Sequence, residues 1–220
     1  MQLEGWEESE CSPDYLYPTD QRILERLQGT IVKMNKHLDN YEYGLAKIAF
    51  EEFFRADFCD NYLELVKVRL YKPELFEDGE RKKRSGQKTL HEALYTIIQL
   101  IAPYLPHITE EIYQAYFKGE EHSIHTTPYP TVSRNDGLPR PNSEAVITSA
   151  MQTTLEIVEL VRKYKSESQI SMGTELSKLI ISANPEQQTS IQLFEDDVKG
   201  ITKAKKIERK EGRLGVECVI

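Results

Sequence analysis

Apolar residues recur at spacings of three and four over most of this chain, and at a spacing of two only near its end. Beyond Thr19 or Asp20, either of which can cap a helix, Leu24, Leu27, Ile31, Met34 and Leu38 form one stripe. That stripe predicts a first helix ending near Asp39-Asn40. A second helix is expected from about Tyr41–Gly44 to Tyr71, with Pro73 stopping it. Its apolar positions (Leu45, Ile48, Ala49, Phe53, Phe54, Phe58, Tyr62, Leu65 and Val66) lie around more than one face, so it should be central and touch several neighbours. Roughly 28 residues of helix span about 42 Å. Glu77 to Gly86 reads as a charged loop. Leu90, Leu94, Ile97, Ile98 and Ile101 then set a third helix over Gln87–Ala102. Pro103 and Pro106 separate it from a short fourth over Ile108–Phe117, closed by Gly119.

From Ser123 to Asn142, four prolines and Asn135-Asp136-Gly137 mark a long loop, and a domain boundary is expected there. After Ser143 another amphipathic helix uses Ile147, Ala150, Met151, Leu155, Val158 and Val161. The texture then changes. Leu176–Ala183 reads as a buried strand and Pro185 to about Val198 as a short helix. Lys203–Arg209 and Arg213–Ile220 read as a hairpin around Glu211-Gly212, because Leu214, Val216, Cys218 and Ile220 alternate at the strand period. The predicted fold is therefore mainly α: an antiparallel helical bundle over residues 19–141, followed by a small α/β unit over 142–220. Residues 1–18 form an acidic leading segment that Trp6 can pin to the body.

Composition narrows the class. Of 220 residues, 39% are hydrophobic and 29% charged, compatible with a soluble globular protein. No run approaches the ~18–20 apolar residues of a membrane span, and no basic flank precedes an apolar stretch as in a secretory signal. Cys11, Cys59 and Cys218 are single and far apart, a spacing that supports neither a disulfide framework nor a zinc site and fits a reducing cytoplasm. The net charge of −8 argues against indiscriminate nucleic-acid binding, which draws on Lys and Arg. Charge is uneven, however. Residues 1–20 hold six acidic side chains and no basic one, and residues 81–84 read RKKR. Between Lys199 and Arg213, seven basic side chains face only Glu208 and Glu211, a local charge of +5.

Catalytic signals are missing. There is no Gly-rich phosphate loop, no Gly-x-Ser-x-Gly and no HExxH. His122 and His125 beside Glu121 are better explained as solvated or hydrogen-bonded than as metal ligands, since no Cys lies nearby. Glu51-Glu52 and Glu110-Glu111 are adjacent on helices and diverge by about 100°, so neither pair shares a site.

Four blocks carry a resemblance. They are PTDQRILERL (18–27), FFRADFCDNYLELVKVRLY (53–71), IAPYLPHITEEIY (101–113) and SIHTTPYP (123–130). In this order they resemble the anticodon-binding helical region of class I aminoacyl-tRNA synthetases, and valyl-tRNA synthetases most closely. The Thr-Glu-Glu block is shared with isoleucyl and leucyl relatives, while FCDNYLELVK is the more selective piece. Arg55 stands where the family often has Trp, and Tyr129 where Trp is common. The adenylate-forming HIGH and KMSKS signatures do not occur. The resemblance thus implies a catalytically inactive piece of a cytoplasmic valine–tRNA ligase. It implies the valine-accepting tRNA and the catalytic domain of the same polypeptide as partners, and no membrane. It implies ATP and magnesium only for the parent enzyme, with no cofactor here.

Under that reading, candidate RNA contacts can be named. RNA loops are read by stacking splayed bases on aromatic or guanidinium planes, which makes Phe58, Tyr62 and Arg55 candidate platforms, although a Phe on a central helix is most often core. Asp60 and Glu64 could accept from exocyclic amines, or equally serve in buried capping or pair with Lys67 or Arg69; Lys67 is itself a candidate RNA contact. Arg22, Arg26 and Lys33 on the first helix, and Arg81, Lys82, Lys83 and Arg84 in the charged loop, are candidate phosphate contacts, as is the basic run after Lys199. Two alternatives stay open: an isoleucyl or leucyl sibling, and a helical protein-interaction module without RNA binding.

Overall fold

A computed structural model describes residues 15–117, 123–132 and 144–220, with backbone only for 144–148. Trp6, Cys11, Gly119, His122, Ile147 and the residues of the expected boundary at 133–143 lie outside what can be described. Helix α1 (Pro18–Asp39) opens on a proline and has no side-chain cap. Thr19 and Asp20, expected as caps, are instead buried in its first turn, where the helix dipole favours the Asp20 charge. Ile23, Leu24, Leu27, Ile31 and Met34 form its buried stripe.

The expected long second helix is a continuous rod in three stretches: α2 (Tyr43–Glu52), a π-helical stretch (Phe53–Tyr62) and α3 (Leu63–Tyr71). Hydrogen bonding at i→i+5 changes which side chains share a side. Phe53 and Phe58, five apart, are both buried; Arg55 and Asp60, five apart, are both exposed. The rings of Phe50, Phe54, Phe58 and Tyr62 follow one another at 5.6, 6.2 and 6.0 Å between centroids, each contact worth about 0.5–1.5 kcal/mol beyond burial. Leu45 and Ile48, expected to meet neighbours, are exposed, while Ala46 and Phe50 hold the buried line.

Helix α4 (Gly79–Ile101) starts at Gly79 rather than Gln87, so RKKR is helical and not a loop. Packing explains the difference. Asp78 turns the chain with a left-handed backbone (φ 54°), and a Cβ on Gly86 would lie 2.7 Å from Val66 Cγ2, so only glycine lets α4 approach α3 here. Helix α5 (Pro106–Tyr116) follows. The bundle core gathers residues of α1, the rod and α4, including Met34, Phe53, Phe58, Leu90 and Leu100.

The C-terminal part comprises α6 (Glu144–Glu167), β1 (Lys178–Ala183), α7 (Pro185–Leu193), α8 (Glu195–Thr202), β2 (Ile207–Glu211) and β3 (Gly215–Val219). The single helix expected after Pro185 is two, broken at buried Phe194. The expected hairpin does not form. The sheet order is β2-β1-β3, with β1 parallel to β2 and antiparallel to β3. A hairpin would leave the apolar β1 at an edge. In the centre it buries Leu179, Ile181 and Ala183 against Ile157, Val161, Ile191 and Val198.

One buried cation joins the two parts. Arg69 of α3 is 0% exposed, and all five of its N–H groups find acceptors. Nε donates to Asp197 of α8 at 2.8 Å. The terminal nitrogens donate to the two Asp20 oxygens at 3.1 and 2.9 Å, to Thr19 Oγ1 at 3.0 Å and to the Lys82 carbonyl at 3.3 Å. Tyr62 and Ser85 hydroxyls also donate to Asp20, at 2.8 and 2.6 Å, and Thr19 donates to Asp197 at 2.5 Å. The Tyr17 ring lies 4.2 Å from the guanidinium carbon. Beside this cluster α8 crosses α3 at Gly200, where a Cβ would come within 2.9 Å of Val68 Cβ.

The cluster holds two carboxylates for one guanidinium. Burial opposes the Arg69 charge, but Asp197 and Asp20 outweigh it and hold its pKa well above the ordinary value. Burial dominates at Asp197, opposed by Arg69 and Thr19 and reinforced by Asp20, and pushes that carboxyl up to about 6. The two carboxylates thus hold the Arg69 charge firmly, while burial is the main cause at Asp197.

Removing the guanidinium leaves its buried partners unpaired, so Arg69→Ala should cost about 3–5 kcal/mol in urea unfolding at pH 7. The folded chain binds the Asp197 proton more tightly than the unfolded chain, whose carboxyl titrates near 3.9. That contribution is complete below about pH 4 and is lost as pH rises through about 6. Unfolding free energy should therefore fall by up to about 3 kcal/mol across that window. Asp197→Asn should flatten that step, as read from urea midpoints between pH 4 and 7.5.

Candidate nucleic-acid interface

The helix periods place the residues expected to meet RNA in several different settings. Phe58 and Tyr62 are 1% and 2% exposed. They are not stacking platforms: the π stretch turns both inward, and the Tyr62 hydroxyl is spent on Asp20. Burial and the neighbouring Asp20 hold that hydroxyl protonated, its pKa well above the usual value. Arg55 and Asp60 stay on the exposed side of the same stretch.

The hollow beside that stretch has a volume of about 290 Å³ and lies between α1, the π stretch and α6. Its cations are neutralised. Arg26 donates through Nε and Nη2 to Asp57 at 3.2 and 2.7 Å, and Arg22 lies 3.6 Å from Glu25. Lys67 lies 3.1 Å from Glu64, one of the local pairs foreseen from the sequence. In α4, Arg81 covers the Tyr15 ring at 4.0 Å, and Lys82 reaches Asp196 of α8 at 2.5 Å. Lys83 is half-buried and Arg84 exposed. RKKR is thus partly engaged in holding the chain together.

The basic run after Lys199 is also balanced by its own unit. Lys199 meets Glu195, Lys205 meets Glu175, Lys206 meets Glu208 and Lys210 meets Glu217, at 2.8, 3.1, 3.0 and 3.7 Å. Arg209 adds a second contact to Glu195 at 3.7 Å. The local charge of +5 seen along the sequence is therefore largely cancelled in space.

A different surface combines cations with exposed rings: the corner between α1 and α2. Tyr41 and Tyr43 are 79% and 55% exposed and meet edge to face, their centroids 6.4 Å apart. Tyr41 has a left-handed backbone (φ 59°), and His37 Nδ1 to Glu42 at 2.7 Å closes the turn. The Tyr104 hydroxyl donates to the Tyr43 carbonyl at 2.8 Å and fixes the corner on the bundle. Lys33 and Lys36 are exposed on the last two turns of α1; Lys47, Glu51 and Arg55 follow Tyr43 at four-residue intervals. Lys47 and Glu51 are 3.4 Å apart. Sequence reasoning missed Tyr41 and Tyr43, although two tyrosines flanking a helix break were a visible sign.

The Thr-Glu-Glu block is architectural. Thr109 is buried and donates to the Leu105 carbonyl at 2.8 Å. Glu110 accepts from Ser123 Oγ at 2.7 Å, the Ile124 N–H at 3.0 Å and Gln114 at 2.7 Å. Ser123 foremost among these bonds holds its carboxyl below the usual range. The blocks at 101–113 and 123–130 thus hold each other. Among the described residues no cluster of three His, Cys, Asp or Glu side chains could hold a metal ion, and no helix is long and apolar enough to cross a membrane.

Residues 20–180 match the family of the anticodon-binding domain of tRNA ligase. The chain is similar to the valine–tRNA ligase of Rickettsia canadensis, 33% identical over 91% of this chain and 23% of that protein. It is similar to that of Ehrlichia ruminantium, 36% identical over 91% of this chain and 24% of that one. A third similarity is to that of Methanopyrus kandleri, 31% identical over 93% of this chain and 21% of that protein. The chain thus spans about a fifth to a quarter of the length of these curated relatives.

Core and surface roles separate in a stability series. Phe58→Ala should cost about 3–5 kcal/mol, and Arg55→Ala should stay within about 0.5 kcal/mol of the parent, both read from urea unfolding.

Proposed function

The chain belongs to the anticodon-binding domain family of the tRNA ligases, and on that premise we propose that it is the tRNA-gripping part of a valine–tRNA ligase. Its task is to hold the anticodon arm of the valine-accepting tRNA while another part of the same polypeptide activates valine and joins it to the far end. The ATP and magnesium of that chemistry are assigned to that other part. The cytoplasm, where tRNA is charged, is the proposed setting.

One observation carries this reading. In a chain of net charge −8, the α1–α2 corner presents two exposed tyrosine rings, with exposed Lys33 and Lys36 on the last turns of α1, Lys47 on the first turns of α2 and Arg55 further along the rod. Rings at a corner accept splayed bases, and cations around them neutralise the phosphates of the same loop. The platform moves from Phe58 and Tyr62, which are buried, to Tyr41 and Tyr43, while Arg55 keeps its proposed part. The valine assignment draws on the names of the relatives.

The test is titration of the chain with an anticodon stem-loop hairpin of valine tRNA over a range of salt. Four phosphate contacts predict a log–log slope near −2.8. Tyr41→Ala or Tyr43→Ala should weaken binding by about 1–3 kcal/mol each without lowering the melting temperature. A flat salt response and no measurable affinity would turn the reading toward a protein-interaction module. Equal binding of isoleucine and leucine hairpins would remove the valine assignment.

A further inference from the structure

A groove of about 480 Å³ runs between α3, α6 and α8, on the side of the molecule where the bundle meets the α/β unit. Four cations line it: Lys67 from α3, Arg162 and Lys165 from α6, and Lys203 just after α8. Glu64 is its one carboxylate, 3.1 Å from Lys67, so the lining carries a net charge of +3. Lys199, Lys205, Lys206, Arg209 and Lys210 of the C-terminal basic run are matched by carboxylates, but among the described residues Arg162, Lys165 and Lys203 are not. Lys203 donates to the Gly173 carbonyl at 3.1 Å. Lys165, buried, gives its three protons to the Met172, Thr174 and Thr202 carbonyls at 3.3, 2.8 and 3.0 Å. With no donor left, Lys165 acts on the groove as a fixed positive charge and not as a direct ligand. Arg162 is exposed and has no ion pair among the described residues. Val68, Val161 and Ile201 give the groove an apolar floor.

We propose that this groove takes a sugar–phosphate strand of the same tRNA, away from its anticodon loop. Arg162 and Lys203 would meet phosphate oxygens, and the aliphatic floor would meet ribose. The inference rests on the reading of the chain as a tRNA-gripping domain. A positive groove in an acidic chain selects a polyanion. The rod that carries Lys47 at the corner carries Lys67 about 20 residues later, roughly 25–30 Å along its axis. A folded RNA long enough to lie along that rod meets both surfaces, while an isolated anticodon hairpin needs only the corner. An acidic protein segment would satisfy the same charges, but nothing in the groove presents the unpaired sheet edge or deep apolar slot by which peptides dock.

The experiment compares the full chain with Arg162→Gln/Lys203→Gln, both exposed positions, after thermal melts have shown equal stability. Probes are a whole valine tRNA transcript, its isolated anticodon stem-loop and oligo-glutamate, each titrated over 50–300 mM salt, about the range where phosphate contacts respond. The expected result is a log–log slope for whole tRNA that is shallower by about 1.4–1.8 in the variant, from two lost contacts, with the stem-loop unchanged. Unchanged slopes on both RNAs overturn the groove and leave the corner reading standing. Equal losses on both RNAs also overturn it, because the groove would then belong to the anticodon site. Loss of oligo-glutamate binding with RNA binding intact overturns it in favour of an acidic peptide. If the parent chain binds neither RNA, the functional reading fails first and this inference falls with it.

Discussion

A single guanidinium, taken out of water and shared by two carboxylates from opposite ends of the chain, is the contact on which this architecture turns. Arg69 comes from the central rod, Asp20 from the first helical turn of α1, and Asp197 from α8. An isolated buried ion is prohibitively costly and is tolerated only with its hydrogen bonds filled. Here all five donors are filled, and the surrounding hydroxyls of Thr19, Tyr62 and Ser85 complete the carboxylates. The aromatic ladder of the rod ends on the Tyr62 hydroxyl in this cluster, so core packing and ion pairing fix the same helix. Small residues let the helices close around it: Gly86 against Val66 and Gly200 against Val68.

That constraint has a consequence for the surfaces. The bundle and the α/β unit have separate apolar cores that share no residue, and two such cores joined only by a loop would move independently. Tied through Arg69 and the Lys82–Asp196 pair, the exposed cations of the α1–α2 corner and of the groove between α3, α6 and α8 hold a fixed separation along one rod. A folded RNA presents its phosphates at fixed separations, so rigidity on the protein side reduces the ordering that binding demands.

Much of this was legible in the sequence. α1, α5, α6 and the part of α4 after Gln87 follow from apolar spacing, and β1 from its short apolar run; the charged first turns of α4 do not. The π stretch was not legible, because reading Phe58 and Tyr62 at the α-helical period does not reveal that five-residue spacing turns Phe53 and Phe58 inward and Arg55 outward. The strand order was hidden because alternation describes one strand and is silent about its neighbour; β3 alternates equally well beside β1 or β2. Ion pairs three or four residues apart, such as Lys67 with Glu64, could be foreseen. The partners of Arg69 lie 49 and 128 positions away, and no local pattern announces them. The candidate site suffered for the same reasons: charge counted along the sequence gave weight to the run after Lys199, which folding largely pairs off, and to RKKR, which it partly engages.

Native-state hydrogen exchange tests most directly whether the two parts form one body. The account predicts that the amides of α8 and of β1 exchange with the same free energy as those of α3, through one shared unfolding that Arg69→Ala lowers for all three elements together. Exchange of α8 and β1 at a much lower free energy, with α3 still protected and the Arg69 substitution leaving that gap unchanged, would contradict it.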